Sequence, residues 1–157
     1  MKHREIERKF LVNKLLWKKI PKPEGTCISQ GYLCADDERT IRVRVAGDRA
    51  FLTIKLRLEG ITRQEYEYPV PAEEAEELIG SCGRAVVEKV RFRIPSGSQV
   101  WEVDEFHGAN EGLLMAEIEL NDPGEDFDRP EWLEAEVTGD HRYYNSYLAV
   151  KPYSAWK

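Results

Sequence analysis

Charged and apolar residues alternate along most of this chain, and within a segment the charges keep one sign. In Ile41-Arg42-Val43-Arg44-Val45 both charges are basic. In Trp101-Glu102-Val103-Asp104 and Ala116-Glu117-Ile118-Glu119 both are acidic. A period of two is the period of a β-strand, whose neighbouring side chains point to opposite faces. The alternation predicts eight strands: Glu5–Val12, Ile28–Cys34, Thr40–Val45, Phe51–Leu58, Gln64–Val70, Val86–Ile94, Val100–Phe106 and Leu114–Leu120. Glycine-containing turns such as Ala46-Gly47-Asp48 and Pro95-Ser96-Gly97-Ser98 separate them. Eight strands with few helices predict a mainly β (α+β) fold, an antiparallel barrel or sandwich with helices added. Helices are expected at 71–79, 13–20 and 130–135, and a short one within 140–150.

An alternating strand usually has one face in water. The sorting of sign argues against that plain reading. The pairs 42/44 and 55/57 and the triplet 89/91/93 are basic only. The pairs 65/67, 102/104 and 117/119 are acidic only. Like charges side by side repel, and ordinary surfaces intersperse signs. A closed barrel with the charged face inward would instead hold a carboxylate zone opposite an Arg/Lys zone, neither tolerable dry and unpaired. Carboxylates spaced i, i+2 offer hard oxygen ligands to Mg²⁺ or Mn²⁺, and Arg and Lys clusters match phosphate oxygens. A metal-bound polyphosphate satisfies both zones.

Composition narrows the classes. The chain has 157 residues, enough for one domain over 1–157 with its own core. Its net charge of −6 argues against a general nucleic-acid binder. Cys27, Cys34 and Cys82 form no Cys-x-x-Cys pair, so neither a disulfide scaffold nor a thiolate zinc site is suggested. His3, His107 and His141 show no ligand spacing, and the four Trp read as packing residues. No signal peptide or membrane-length apolar run is present, so a cytoplasmic protein is expected. No G-x-x-x-x-G-K-[ST] loop is present either, so any triphosphate would be held by side chains on strands.

The ordered motifs are specific. Glu5-Ile6-Glu7-Arg8-Lys9 is followed by Gln30-Gly31-Tyr32-Leu33, Arg42-x-Arg44, Thr53-Ile54-Lys55, Arg63-Gln64-Glu65-Tyr66-Glu67, Glu88-Lys89-Val90-Arg91, the two acidic strands above and Asp140-x-Arg142-Tyr143-x-Asn145. This series resembles the CYTH superfamily of triphosphate tunnel metalloenzymes over residues 5 to about 150. The arrangement is most similar to its small bacterial single-domain members. The resemblance implies an eight-stranded antiparallel barrel forming a tunnel and metal-dependent hydrolysis of a triphosphate. The favoured substrate in such members is often inorganic tripolyphosphate, cleaved to pyrophosphate and phosphate.

The resemblance also assigns roles. Glu5, Glu7, Glu117 and Glu119 match metal-holding positions, with Glu102 and Asp104 as further acidic candidates. Lys9, Arg42, Arg44, Lys89, Arg91 and Arg142 match the phosphate-cradling side. Tyr32 and Lys55 match a Tyr–Lys pair proposed as catalytic in some members, with Lys55 expected to have a lowered pKa among neighbouring cations. Glu65 and Glu67 either bind metal or pair with inner bases, and Arg57 and Arg93 read as rim residues.

Two other functions remain open. An adenylate cyclase acting on ATP would need a base and ribose site that the sequence does not display. A non-catalytic polyphosphate-binding module needs the bases but not the metal-holding acids. Open barrel ends and an exposed apolar outer face leave room for a homodimer.

Overall fold

A computed structural model describes residues 3–156. Nine strands form one antiparallel sheet: β1 (Arg4–Val12), β2 (Thr26–Ala35), β3 (Arg39–Ala46), β4 (Arg49–Arg57), β5 (Thr62–Val70), β6 (Val87–Ser96), β7 (Gln99–His107), β8 (Leu114–Glu119) and β9 (Leu133–Glu136). The order is β5-β4-β3-β2-β6-β7-β8-β1, and β1 pairs with β5 to close an eight-stranded barrel. The eight expected strands are all present, each within a few residues of its expected bounds. Two-residue hairpins carry Gly47 and Gly97 at their first central positions with φ near +61°, where L side chains are strained.

Three α-helices accompany the barrel: α1 (Lys14–Lys19), α2 (Ala72–Gly80) and α3 (Asn145–Leu148). Asn13 caps α1 by accepting from the Leu16 N–H. The helix expected at 130–135 is instead strand β9. The reason lies in β1. Strand β5 pairs with β1 only from Arg4 to Ile6, which leaves the far half of that edge unpaired. Residues 133–136 take the vacated hydrogen bonds, with Phe10 opposite Glu136 and Val12 opposite Leu133. The segment expected to hold a short helix within 140–150 has a 3-10 turn at His141–Tyr143, followed by α3. Among the described residues, no helix is long and apolar enough to cross a membrane.

The apolar cores lie largely outside the barrel, inverting the usual arrangement. The largest packs the outward faces of β1, β7 and β8 (Phe10, Trp101, Ile118) against Trp17 of α1 and Trp132. Burying each such side chain contributes about 1.5–3 kcal/mol. A second cluster seats Ala75 of α2 against Val43 and Ala50 on β3 and β4. In the third, Val87, Phe106 and Met115 replace charged residues further along the inward faces of β6, β7 and β8. Leu148 and Ala149 cap them and close that part of the barrel with apolar packing. With its apolar contacts made elsewhere, the barrel interior is left to charge.

Candidate active site

The barrel encloses a cavity of about 590 Å³. A smaller cavity of about 280 Å³ adjoins it and shares Glu65, Glu67 and Glu119 with it. Strand order divides the wall into two halves. Neighbouring strands β7, β8, β1 and β5 supply Glu102, Glu117, Glu119, Glu5, Glu7, Glu65 and Glu67. In the other half, β4, β3 and β6, with β2 between the last two, supply Lys55, Arg42, Arg44, Lys89 and Arg91. Lys9 on β1 and Arg63 on β5 are the strand bases of the acidic half that face the cavity.

Where the halves meet, charges pair. At the β6–β7 seam, Arg91 grips Asp104 through Nε and Nη2, both at 2.8 Å, and reaches Glu102 at 3.4 Å. At the β4–β5 seam, Lys55 Nζ lies 3.6 Å from Glu65. Three pairs reach further: Lys55 to Glu5 at 2.8 Å, and Glu117 to Lys9 at 3.6 Å and to Arg91 at 3.9 Å.

Midway between the seams, charges lack partners. Among the described residues, Glu7, Glu119 and Arg44 form no ion pair within 4.0 Å. Arg42 has only Glu67 at that limit, and its buried Nε–H donates to nothing. Titration follows the pairing. Burial and then the neighbouring carboxylates Glu117 and Glu5 push Glu7 up to about 8. Burial, Glu5 and Glu102 also push Glu119 up. Burial opposes ionisation of Glu117, but Lys9, Arg91 and Lys89 override it and hold its carboxyl far below the usual range. Burial, Arg42 and Arg91 bring Arg44 down to about 10.

The expected site residues converge on this cavity, with two exceptions. Asp104 is 1% exposed and does not line it. Its two oxygens are taken by Arg91 and by Lys89 at 2.8 Å, so it acts as a counter-ion to the phosphate-side bases. Arg142 also lies outside the lining. Its guanidinium is exposed, forks onto Asp140 at 2.7 and 3.1 Å, and lies over the Tyr143 and Trp156 rings.

The expectation of a lowered Lys55 pKa is also overturned. Burial disfavours its charge, but Glu5 and Glu7 outweigh burial and fix it as an ammonium. The depressed lysine is Lys89, brought down to about 7 by burial, with Asp104 opposing and Arg91 and Arg44 adding to the fall.

Several lining residues had no role from sequence. Arg63 lies one register step from Glu65 on the same strand face, so the alternation pointed to it. Tyr144 and Asn145 enter from the C-terminal segment, where no periodicity announces an inward face. His141, which shows no ligand spacing in the sequence, lines the cavity and stacks on Tyr144 with ring centroids 5.0 Å apart.

A divalent cation fits this donor set. Glu7 and Glu119 are hard oxygen donors without a cation partner, and neighbouring carboxylates raise the pKa of both. Among the described residues, no three potential ligands already stand together at chelating distance, because Glu5 and Glu117 are turned to Lys55, Lys9 and Arg91.

Known proteins share this architecture. The CYTH domain family model matches residues 3–146. An inorganic triphosphatase of Acetivibrio thermocellus is 45% identical over 155 residues, covering 98% of both chains. One of Nitrosomonas europaea is 36% identical, covering 93% of this chain and 97% of that protein. The crystal structure of the inorganic triphosphatase NE1496 superposes with a TM-score of 0.64 at 34% identity, over 93% of this chain and 94% of that one. With that family match over nearly its whole length, the chain belongs to the CYTH domain family.

Proposed function

We propose that this chain is a divalent-metal-dependent triphosphatase that hydrolyses inorganic tripolyphosphate to pyrophosphate and phosphate. One observation carries the reading: carboxylates and guanidinium groups with little or no counter-ion sit in separate halves of one cavity. Such a cavity lacks both a cation and an anion, and a metal-bound phosphate chain supplies the two together. The names of the similar proteins agree with it.

Arg42 and Arg44, with Arg91, Lys9 and Lys89, cradle the phosphate oxygens and offset charge on the transferring phosphoryl group. Glu7 and Glu119, joined by Glu5 and Glu117, would hold Mg²⁺ or Mn²⁺, which when bound neutralises phosphate charge and makes a coordinated water more acidic. Lys55 keeps its proton and acts as a fixed cation, not as a base. Tyr32 lines the cavity beside Arg42 and offers a hydroxyl to the substrate or to the attacking water.

Phosphate release from tripolyphosphate, ATP and thiamine triphosphate tests the reading, each with Mg²⁺, with Mn²⁺ and with chelator. Metal-dependent release, greatest from tripolyphosphate, is the expected result. A folded, metal-supplied protein that releases nothing from any of them removes the hydrolase reading. Tripolyphosphate binding without turnover would then mark a binding module, and cyclic AMP formed from ATP a cyclase.

A further inference from the structure

Strand β2 lies midway along the basic half yet supplies no cation to the cavity. It supplies Tyr32 and, behind the wall, Gln30, which is 0% exposed and does not line the cavity. Three cavity residues meet on the Gln30 amide. Arg44 Nε donates to its Oε1 at 2.8 Å. Its Nε2 donates to the Tyr32 hydroxyl at 2.8 Å and to Asn145 Oδ1 at 3.2 Å. Asn145 Oδ1 also accepts from Lys89 Nζ at 2.8 Å.

The polarity of this network is forced. A guanidinium and an ammonium are donors only. Oε1 of Gln30 must therefore face Arg44; this turns its Nε2 donor toward Asn145, whose Oδ1 must answer it, so both amide orientations are fixed. Each Nε2 hydrogen of Gln30 then needs an acceptor, and the Tyr32 oxygen and Asn145 Oδ1 provide one each. Tyr32 keeps its own hydroxyl hydrogen to give, and Asn145 keeps its Nδ2 group. Neither of these donors, nor the Nη groups of Arg44, hydrogen-bonds to protein among the described residues, and all three residues line the cavity.

We infer that Gln30 is a positioning residue that makes this wall donor-only: it consumes the inward acceptors of Tyr32 and Asn145 and holds the Arg44 guanidinium without neutralising it. Nearly all oxygens of a phosphate chain are unprotonated acceptors at neutral pH, and neighbouring cations favour loss of the remaining proton, so a wall of donors matches it. A carboxylate in place of Gln30 would hold Arg44 equally well but cancel its charge. It would also have no hydrogens to offer, so the Tyr32 hydroxyl would turn its hydrogen to the carboxylate and its acceptor toward the cavity. This inference rests on the triphosphate reading for its ligand but not for its geometry.

Tripolyphosphate affinity in chelator, measured by calorimetry without turnover, tests it alongside thermal melting. Gln30→Glu is expected to weaken affinity about tenfold or more, with only a small change in Tm. Gln30→Leu removes the network but leaves Arg44 charged. It is expected to lower Tm more and affinity less, by about threefold. A merely structural glutamine predicts the opposite ranking, with affinity following Tm, and that result overturns the inference. Unchanged affinity in Gln30→Glu overturns it as well.

NMR of the ligand-free wild type supplies a reading if a variant does not fold. The Gln30 side-chain amide and Arg44 Nε–H signals are expected to be protected from exchange, and rapid exchange of either defeats the proposal. Wild type that neither binds nor cleaves tripolyphosphate removes the functional reading instead, and the exchange data then judge the network by itself.

Discussion

The centres of the two half-walls face the same difficulty and resolve it differently. Glu7 and Glu119 in the acidic half, and Arg42 and Arg44 in the basic half, are charges in a low-dielectric cavity with little or no counter-ion. A carboxyl can escape by taking a proton, and Glu7, pushed up to about 8, does so at neutral pH. A guanidinium cannot: Arg44, lowered to about 10, stays charged. The charge at the centre of the acidic half is thus conditional on pH and on a bound cation, while the guanidinium charge at the centre of the basic half is permanent; in that half only Lys89, brought down to about 7, titrates near neutrality. Anion binding and metal binding should therefore come apart under mutation and under pH.

The sharpest separation comes from Glu7→Gln with Glu119→Gln. The amides keep the packing volume and remove the two unpaired donors. Metal-dependent phosphate release is expected to fall about a thousandfold, since losing a ligand costs more than the 10–100-fold of losing its supporting residue. Tripolyphosphate affinity in chelator should hold or tighten, because the amides cannot ionise and repel the anion. A parallel fall in that affinity would mean the acidic half contacts the phosphate chain directly.

The converse change is Arg42→Ala with Arg44→Ala. Each guanidinium offers charge-assisted hydrogen bonds worth about 1.5–3 kcal/mol. Tripolyphosphate affinity in chelator should drop at least about a hundredfold, while Mn²⁺ affinity of the ligand-free protein stays within about threefold. A large loss of Mn²⁺ affinity would erase the division of labour between the halves.

The pH response is smaller, and for metal binding it belongs to the acidic half. Glu7 at about 8 and Glu65 at about 7 hold protons that a bound cation displaces. Metal affinity should rise about tenfold per pH unit for each proton released between pH 6 and 8. Calorimetry in buffers of different ionisation enthalpy counts those protons. Stability of the metal-free protein carries the matching signs. The Glu7 pKa lies above its unfolded value of 4.5, so its contribution falls as pH rises from there to about 8. The Glu117 pKa lies below 4.5, so its contribution is full above that pH and is lost as pH falls. Glu7→Gln should shrink the alkaline fall in Tm to the part owed to Glu65 and Glu119, and leave the acid one. A Tm that ignores pH between 5 and 8 would contradict the coupling of Glu7 to its neighbours.

Most of this division was legible in the sequence because strand period is local. Residues i and i+2 share a face whatever the rest of the chain does, so Arg42/Arg44 and Glu117/Glu119 declared themselves. Closure was legible only through the sorted signs and the family resemblance. Strand order was not legible, and it is the order that decides which charges meet at seams and which stand alone. Asp104 alternates like a ligand and is spent on Arg91 and Lys89 because β7 happens to border β6. Strand β9 was read as a helix because four residues give little periodicity, and the vacancy it fills arises from where β5 leaves β1. The contributions of Gln30 and Asn145 rest on a hydrogen-bond network spanning more than a hundred residues of sequence.

Arg142 offers the smallest expected effect and the cleanest check on the edge of the basic half. Its motif suggested a phosphate contact, but its guanidinium is committed to Asp140, two residues back, and 61% of its side chain is in solvent. Exposed ion pairs contribute little, and this one lies outside the cavity. Arg142→Ala should therefore leave the tripolyphosphate KM within about twofold, with a melting temperature close to wild type. A tenfold rise in KM would mean that bound polyphosphate pulls Arg142 off Asp140 and into the mouth. Permanent positive charge would then extend beyond the barrel strands, and Asp140→Asn, which frees the same guanidinium, should lower KM where Arg142→Ala raises it.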